Sequence, residues 1–212
     1  METYNNSVKA TDFLSYAINR AKENLGIDYI IDNSNKQIIE MLCMYFTNNP
    51  EFEKMGKGFS LMKGLMVAGG IGTGKTTLMR LFAVNPKFPF KVVSCRKIVD
   101  DYLDKEVQAL SYYSQPFRSS TYYSSLLKSA DTGFCYDDLG TERTAVHFGD
   151  RVNVMAEIIQ NCYEQYNTPK YFTHITTNLT GNEIEQMYGS RVRSRMREQY
   201  NLITLGGNDR RK

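Results

Sequence analysis

The chain is predicted to fold as an α/β protein, a five-stranded parallel sheet covered by helices on both faces. Three observations predict it. Five short runs read as strands: Leu65–Ala68, Phe90–Ser94, Gly133–Tyr136, Tyr171–Thr176 and Asn201–Leu205. Stretches with the 3.6-residue apolar period of a helix lie between them. A glycine-rich turn joins the first strand to the helix that follows it. Strands that alternate with helices pair in parallel, because each crossover helix returns the chain to the same end of the sheet.

Two amphipathic helices come first, Thr11–Asn24 with Leu14, Ala17, Ile18 and Ala21 on one face, and Lys36–Thr47 with Ile38, Ile39, Leu42, Tyr45 and Phe46. They make residues 1–60 an N-terminal helical segment ahead of a core of 61–212. Within the core, Thr77–Ala83 carries Leu78, Leu81 and Phe82 on one face. A helix over Lys97–Leu110 turns Val99, Tyr102, Leu103, Val107 and Leu110 inward, and a helix over Arg151–Tyr166 buries Val152, Met155, Ile158, Ile159 and Cys162. Asn182–Glu185 has a capping-box pattern, and Gly189-Ser190 interrupts that helix before a second begins at Arg191. Ser111–Ser129 is biased toward serine and tyrosine.

Composition bounds the function. With 212 residues, 42% of them hydrophobic, the chain has length for one domain with a substantial core. Its 26 basic and 23 acidic residues leave a net charge of only +3, so any nucleic-acid contact needs a local patch. Cys43, Cys95, Cys135 and Cys162 are far apart in apolar stretches and read as reduced core residues. Met1–Lys9 lacks a signal-peptide pattern and no run approaches a membrane-spanning length, so a soluble, cytoplasmic protein without a membrane partner is expected.

The turn after the first strand fits G-x-x-x-x-G-K-S/T from Gly69 to Thr76. Backbone N–H groups can cradle phosphates only where the chain approaches them closely, which favours residues without a Cβ such as Gly72 and Gly74. The cradle runs through Gly70, Ile71, Gly72, Thr73, Gly74, Lys75, Thr76 and Thr77. Lys75 reaches the β and γ phosphates, the Thr76 hydroxyl holds Mg2+, and the helix N-terminus faces the triphosphate. ATP is the expected nucleotide. Guanine reading has no support, because the only Asn-Lys pair, Asn35-Lys36, precedes the loop and lacks the acid a guanine reader needs.

Gly133–Gly140 is a short apolar strand that ends in two carboxylates, and such a strand end lies beside the phosphate loop in doubly wound sheets. Asp137 is assigned to the Mg2+ shell, directly or through water, and Asp138 to orienting and activating the attacking water. Asn178 ends the next strand, where it can hydrogen-bond both the γ phosphate and the lytic water. On the last helix Arg191 and Arg195 share one face while Arg193 and Arg197 point nearly opposite. One pair is available as an arginine finger toward a neighbouring subunit, and the other to solvent or nucleic-acid phosphate.

In their order, Gly69–Thr76, Asp137–Gly140, Thr177–Thr180 and Gly189–Met196 resemble the AAA+ ATPases of the DnaC-type helicase loaders and the IstB-type transposition helpers. The resemblance covers 36–212. It implies a P-loop NTPase three-layer sandwich, an AAA+ core with a minimal or absent lid, since the chain stops soon after its last strand. It further implies that Arg195, the second arginine of a G-x-R-x-x-x-R box, is the finger acting on the adjacent protomer, with Arg191 as its support. Arg210, in the Leu205–Arg211 ending, matches the basic second sensor that touches nucleotide phosphate. The partners implied are further copies of the chain, single- or double-stranded DNA, and a replicative helicase or a transposase. Family members carry a longer segment before the phosphate loop, and here two helices stand in its place.

Tyr112, Tyr113, Phe117, Arg118, Tyr122, Tyr123 and Lys128 interleave rings with two basic side chains. They suit base stacking on single-stranded DNA, or equally an amphipathic helix whose rings pack on the core. The leading functional reading is an ATP-driven oligomeric switch acting on DNA, in helicase loading or transposition. The alternatives are a small-molecule or nucleotide kinase with the same phosphate loop, and an interaction protein that binds ATP and barely cleaves it because Asp138 is shorter than the commoner glutamate.

Overall fold

The computed structural model describes residues 10–26, 28–83, 85, 89–114, 133–147, 149–165 and 173–211. Two helices, α1 (Ala10–Leu25) and α2 (Lys36–Phe46), and a 3-10 turn at Pro50–Lys54 lead into β1 (Gly64–Ala68). Then follow α3 (Lys75–Ala83), β2 (Phe90–Ser94), α4 (Cys95–Lys105), α5 (Val107–Ser114) and β3 (Gly133–Leu139). After a hairpin of β4 (Ala145–His147) and β5 (Asp150–Val152) come α6 (Val154–Glu164), β6 (His174–Thr177), α7 (Gly181–Tyr188), α8 (Ser190–Gln199) and β7 (Tyr200–Thr204).

The main sheet has the order β2-β3-β6-β1-β7 and every pairing in it is parallel. It is the five-stranded P-loop NTPase-like α/β sandwich that the sequence predicts. Side chains of β1 alternate between two cores, as the pleat requires. Leu65 and Val67 join Ile39, Leu42, Phe46, Leu78 and Phe82 from α2 and α3, with Phe13, Ala17 and Ala21 of α1 in the same cluster. Met66 faces the other side, where Ile98, Tyr102, Ile158, Ile159 and Met196 of α4, α6 and α8 gather around Phe134 and Tyr136. Phe46 stacks on Phe82 and Phe90, with ring centroids 5.3 and 5.8 Å apart. The four cysteines are free and buried, and burial pushes the Cys43 thiol up to about 12, far from the thiolate form that reacts.

Four segments depart furthest from the periodicity reading. The expected helix over Lys97–Leu110 is two helices, because Glu106 adopts a left-handed φ of 49°. The break resets the helical phase, so the inward residues continue at Ala109 and Tyr113 and Val107 is exposed at 72%; Leu103, before the break, already lies on the outer side of α4 at 37%. The helix expected over Arg151–Tyr166 begins only at Val154, where the Asn153 side chain caps it by accepting from the Ala156 N–H at 3.1 Å. Arg151 and Val152 instead belong to the antiparallel β4–β5 hairpin, and Tyr166 lies outside the described residues. Strand β6 occupies His174–Thr177; Tyr171 and Phe172 of the expected strand lie outside the described residues. The capping box is formed by Thr180 and Glu183, not by Asn182 and Glu185, because α7 starts at Gly181.

His174, whose role was not anticipated, shows why β1 and β6 must be neighbours. Its Nδ1 accepts the Leu65 N–H at 3.1 Å inside a cage of Tyr45, Phe46 and Phe90. Burial holds its pKa down at about 3, so the ring is neutral and its lone pair stays available.

Core and surface assignments separate cleanly by mutation. Phe46→Ala should cost about 3–5 kcal/mol of stability in urea denaturation. Val107→Ser should stay within about 0.5 kcal/mol of the parent, although a single unbroken helix would have buried Val107.

Candidate functional site

Every strand of a parallel sheet delivers its carboxyl end to the same edge, and here that edge collects the phosphate loop, the acid pair and Asn178. The loop leaves β1 at Ala68 and enters α3 at Lys75. Gly72 and Gly74 hold φ of 77° and 94°, the left-handed region that the glycine pattern anticipates. Thr73 is buried, and its hydroxyl braces the loop by donating to the Gly70 carbonyl at 3.0 Å.

Lys75 is buried and its Nζ donates to the Gly69 and Gly70 carbonyls at 2.9 and 2.8 Å and to Oδ1 of Asn178. All three ammonium donors are therefore engaged, so an incoming anion must replace one of these acceptors. Exchanging a neutral carbonyl for a charged oxygen strengthens the bond. Burial lowers the Lys75 pKa, and the Asp138 and Asp137 carboxylates only partly restore it.

Strand β3 lies one position further from β1 than the sequence reading implies. Strand β6 is inserted between them, so Asn178 is the nearer neighbour of the loop and Asp137 is reached across β6. The Thr76 hydroxyl spans the gap, 2.9 and 3.0 Å from the two Asp137 oxygens, and Thr176 of β6 donates to Asp137 Oδ1 at 2.7 Å. Thr176 also accepts the Asp138 N–H at 2.8 Å. The β3–β6 register slips between Tyr136 and Leu139, where Asp138 takes a left-handed φ of 56°. Such an irregularity re-aims side chains at a strand end; Asp137 is buried among hydroxyls while Asp138 lines the open cleft. Burial is the main cause that raises the Asp137 pKa, against the lowering by the Thr176 and Thr76 hydrogen bonds.

The cleft is about 330 Å³, within the range of small-ligand pockets. Its walls include Ile71, Gly72, Gly74, Lys75, Thr76 and Thr77, and Arg210 closes one side. The segment after β7 crosses the loop: Leu205 N–H donates to Ala68 O at 2.7 Å and Arg210 N–H to Gly72 O at 2.9 Å. Thr141 and Arg211 also line the cleft and were missed, as was Thr176, because no spacing pattern marks them.

Arg195 does not line its own chain's cleft. Its guanidinium lies 4.7 Å over the Tyr163 ring on α6 and Nη1 donates to Gln160 at 3.4 Å. Arg193 bonds Glu185 and, with Arg197, borders a separate groove beside β7, while Arg191 is exposed. The arginines of α8 thus divide between two sides of the helix. Tyr113 is buried, with its hydroxyl donating to Asp101 at 2.5 Å, whereas Tyr112 is 45% exposed. Phe117, Arg118, Tyr122, Tyr123 and Lys128 lie outside the described residues. Among the described residues no helix is long and apolar enough to cross a membrane.

A glycine loop between a central parallel strand and a helix, with a threonine reaching a buried carboxylate two strands away, defines a P-loop NTPase-like α/β protein. The particular relatives fit that class. The chain has the fold of the DnaC helicase loader, with a TM-score of 0.52 and 18% identity over 84% of this chain and 93% of that one. AMPPCP-bound DnaA from Aquifex aeolicus is similar at a TM-score of 0.53 and 18% identity, over 90% of this chain and 52% of that one, so this chain spans about half of that DnaA. No protein-family model matches the chain. Over 61 residues it is 39% identical to protein Ycf2 of Piper cenocladum, a stretch that is 26% of this chain and 3% of that protein.

The raised Asp137 pKa has a thermodynamic consequence. A carboxyl that binds its proton more tightly folded than unfolded contributes stability below its unfolded pKa and loses it as pH rises through the folded value. Asp137→Asn should therefore raise the melting temperature of the nucleotide-free protein at pH 7, with the difference shrinking as pH falls toward 4.

Proposed function

We propose that this chain is an ATP-hydrolysing switch of the DnaC-type AAA+ kind, assembling with copies of itself and acting on DNA in replication as a helicase loader. The observation that carries the reading is a buried ammonium and a buried carboxylate, each held by neutral hydrogen-bond partners, at one open sheet edge. Lys75 is an ammonium held away from water and short of an anion, and Asp137 is a carboxylate held away from water and short of a cation. A magnesium triphosphate supplies both.

The residues fit that group. Thr76 and Asp137 offer the hard oxygen donors that Mg2+ prefers, and Thr76 lines the open cleft. When bound, the ion neutralises charge on the β and γ phosphates. Lys75 binds the same phosphates, Asp138 on the open wall orients the attacking water, and Asn178, joined to Lys75, senses the γ phosphate. Arg195 sits outside its own cleft, which supports a role on the site of a neighbouring protomer, with Arg191 beside it. Arg210 is the basic group on the tail side.

The fold shared with DnaC and DnaA supports a place in replication over transposition, and the AMPPCP in that DnaA supports a triphosphate as ligand. In this reading residues 1–60 are the N-terminal helical segment, 61–212 the ATPase core, and the cytoplasm the place of action. The partners are DNA and a replicative helicase. Tyr112, on the exposed side of α5 beside Lys97 and Lys105, is the described residue that fits base stacking.

Mixing experiments test the shared site. Lys75→Ala should abolish ATP binding in equilibrium titration. Arg195→Ala should bind ATP within about threefold of the parent yet lose hydrolysis by about 10³–10⁵, the scale of an arginine finger's effect. Combining Arg195→Ala with Asp138→Asn should restore part of the turnover, because mixed assemblies contain some intact sites. No recovery at any ratio, with assembly intact, would exclude an inter-subunit arginine.

A further inference from the structure

We propose that Asp32 and Ser34, in the loop that opens α2, are positioning residues that aim the Arg210 guanidinium at the terminal phosphate of the bound nucleotide. The inference rests on the nucleotide reading above and assigns that site a triphosphate-discriminating device. Nothing in the phosphate-loop pattern points to this loop, which lies 37 residues before Gly69 in the case of Asp32.

Arg210 is fixed at both ends. Its backbone N–H donates to Gly72 O at 2.9 Å, and its Cδ lies 3.4 Å from where a Cβ on Gly74 would stand, so the stem runs along the phosphate loop. At the other end a single nitrogen, Nη2, contacts Asp32 Oδ1 at 3.0 Å, Asp32 Oδ2 at 2.9 Å and Ser34 Oγ at 2.6 Å. A guanidinium carries five N–H donors in a rigid plane. Anchoring Nη2 leaves Nε and Nη1 without a hydrogen-bond partner among the described residues, on a side chain that lines the cleft.

The anchor is itself rigid. Asp32 Oδ1 accepts both the N–H and the hydroxyl of Ser34, at 2.8 and 2.6 Å. Its backbone N–H donates to Asn35 Oδ1 at 2.9 Å, and its carbonyl accepts the N–H groups of Asn35 and Lys36 at 3.2 and 2.9 Å. Asn35 is buried and donates through Nδ2 to Ile30 O at 2.9 Å, tying the turn to the chain before it. The Ser34 hydrogen bonds and Arg210 together hold the Asp32 carboxyl at about 2, so it is ionised throughout the neutral range.

A long side chain loses rotamer freedom when it grips a ligand, and a side chain already held loses less on binding. Asp32 and Ser34 hold Arg210 before the phosphate arrives. In this proposal the Arg210 side of the cleft receives the terminal phosphate, so a triphosphate benefits from the held guanidinium and a diphosphate does not. The same contact ties the loop before α2 to nucleotide occupancy.

Calorimetric titration of the full chain with AMPPNP and with ADP, each with Mg2+, tests the inference on the parent, Asp32→Ala, Ser34→Ala, Arg210→Ala and the Asp32→Ala/Arg210→Ala double variant. Asp32→Ala should weaken AMPPNP about tenfold, or about 1.4 kcal/mol, and leave ADP within twofold. Ser34→Ala should shift in the same direction by less, and the double variant should bind no more weakly than Arg210→Ala, because Asp32 acts through Arg210. Should Asp32→Ala fail to fold by thermal melting, Ser34→Ala and Arg210→Ala carry the same AMPPNP-to-ADP comparison.

Equal losses for both nucleotides, additive losses, or tighter AMPPNP binding by Asp32→Ala would overturn the positioning role; the last would mean that Asp32 restrains Arg210 from the phosphate. A parent that binds neither nucleotide, or a Lys75→Ala variant that binds as the parent does, would overturn the nucleotide reading itself.

Discussion

The Asp137 carboxylate can be buried only because hydroxyls from two other elements reach it, Thr76 from the phosphate loop's helix and Thr176 from β6. That requirement constrains the rest of the molecule. Strands β1, β6 and β3 must lie side by side in that order, with their carboxyl ends level, or one hydroxyl loses its partner and a charged oxygen is left buried alone. Leaving such a group unsatisfied costs more than an ordinary hydrogen bond contributes. The two apolar cores on either side of the sheet hold this order, and His174 adds a specific lock between β6 and β1.

The site combines opposite demands within a few residues. Asp137 is deep and hydroxyl-bonded, and Asp138, the next residue, faces the cleft. Regular strand alternation would turn neighbours to opposite faces of the sheet. The register slip and the left-handed backbone at Asp138 break that alternation at the strand end, where the two carboxylates need separate surroundings. A positive φ on a non-glycine residue is uncommon, and it persists here because Thr176 holds the Asp138 N–H and Thr141 holds its carbonyl.

Electrostatics and packing meet at the phosphate loop. Lys75 folds back on carbonyls of its own loop and on Asn178, a self-satisfied arrangement that keeps a buried ammonium tolerable. The tail after β7 bonds to the loop and brings Arg210 to it, so Lys75 and Arg210 both line the cleft. Residues far apart in sequence, Asp32, Gly72 and Arg210, become one hydrogen-bonded unit. In the proposed function, this unit and α8 are the routes by which nucleotide state reaches the N-terminal helices and a neighbouring protomer.

Local chemistry was legible in the sequence. Glycines at Gly72 and Gly74 announce left-handed backbone, Lys75-Thr76 after them announces an anion site, and apolar runs with the right period announce five strands and most helices. These features are local: each depends on backbone freedom or side-chain spacing within a few residues. Tertiary structure alone decided the rest. Insertion of β6 between β1 and β3, the Glu106 break that re-phases α5, the β4–β5 hairpin that takes the first residues of an expected helix, and the grip of Asp32 on Arg210 leave no periodic trace, because each rests on a single backbone angle or on contacts between distant segments. Periodicity records which side of an element is apolar; only packing determines which elements stand next to one another, and therefore which charges meet.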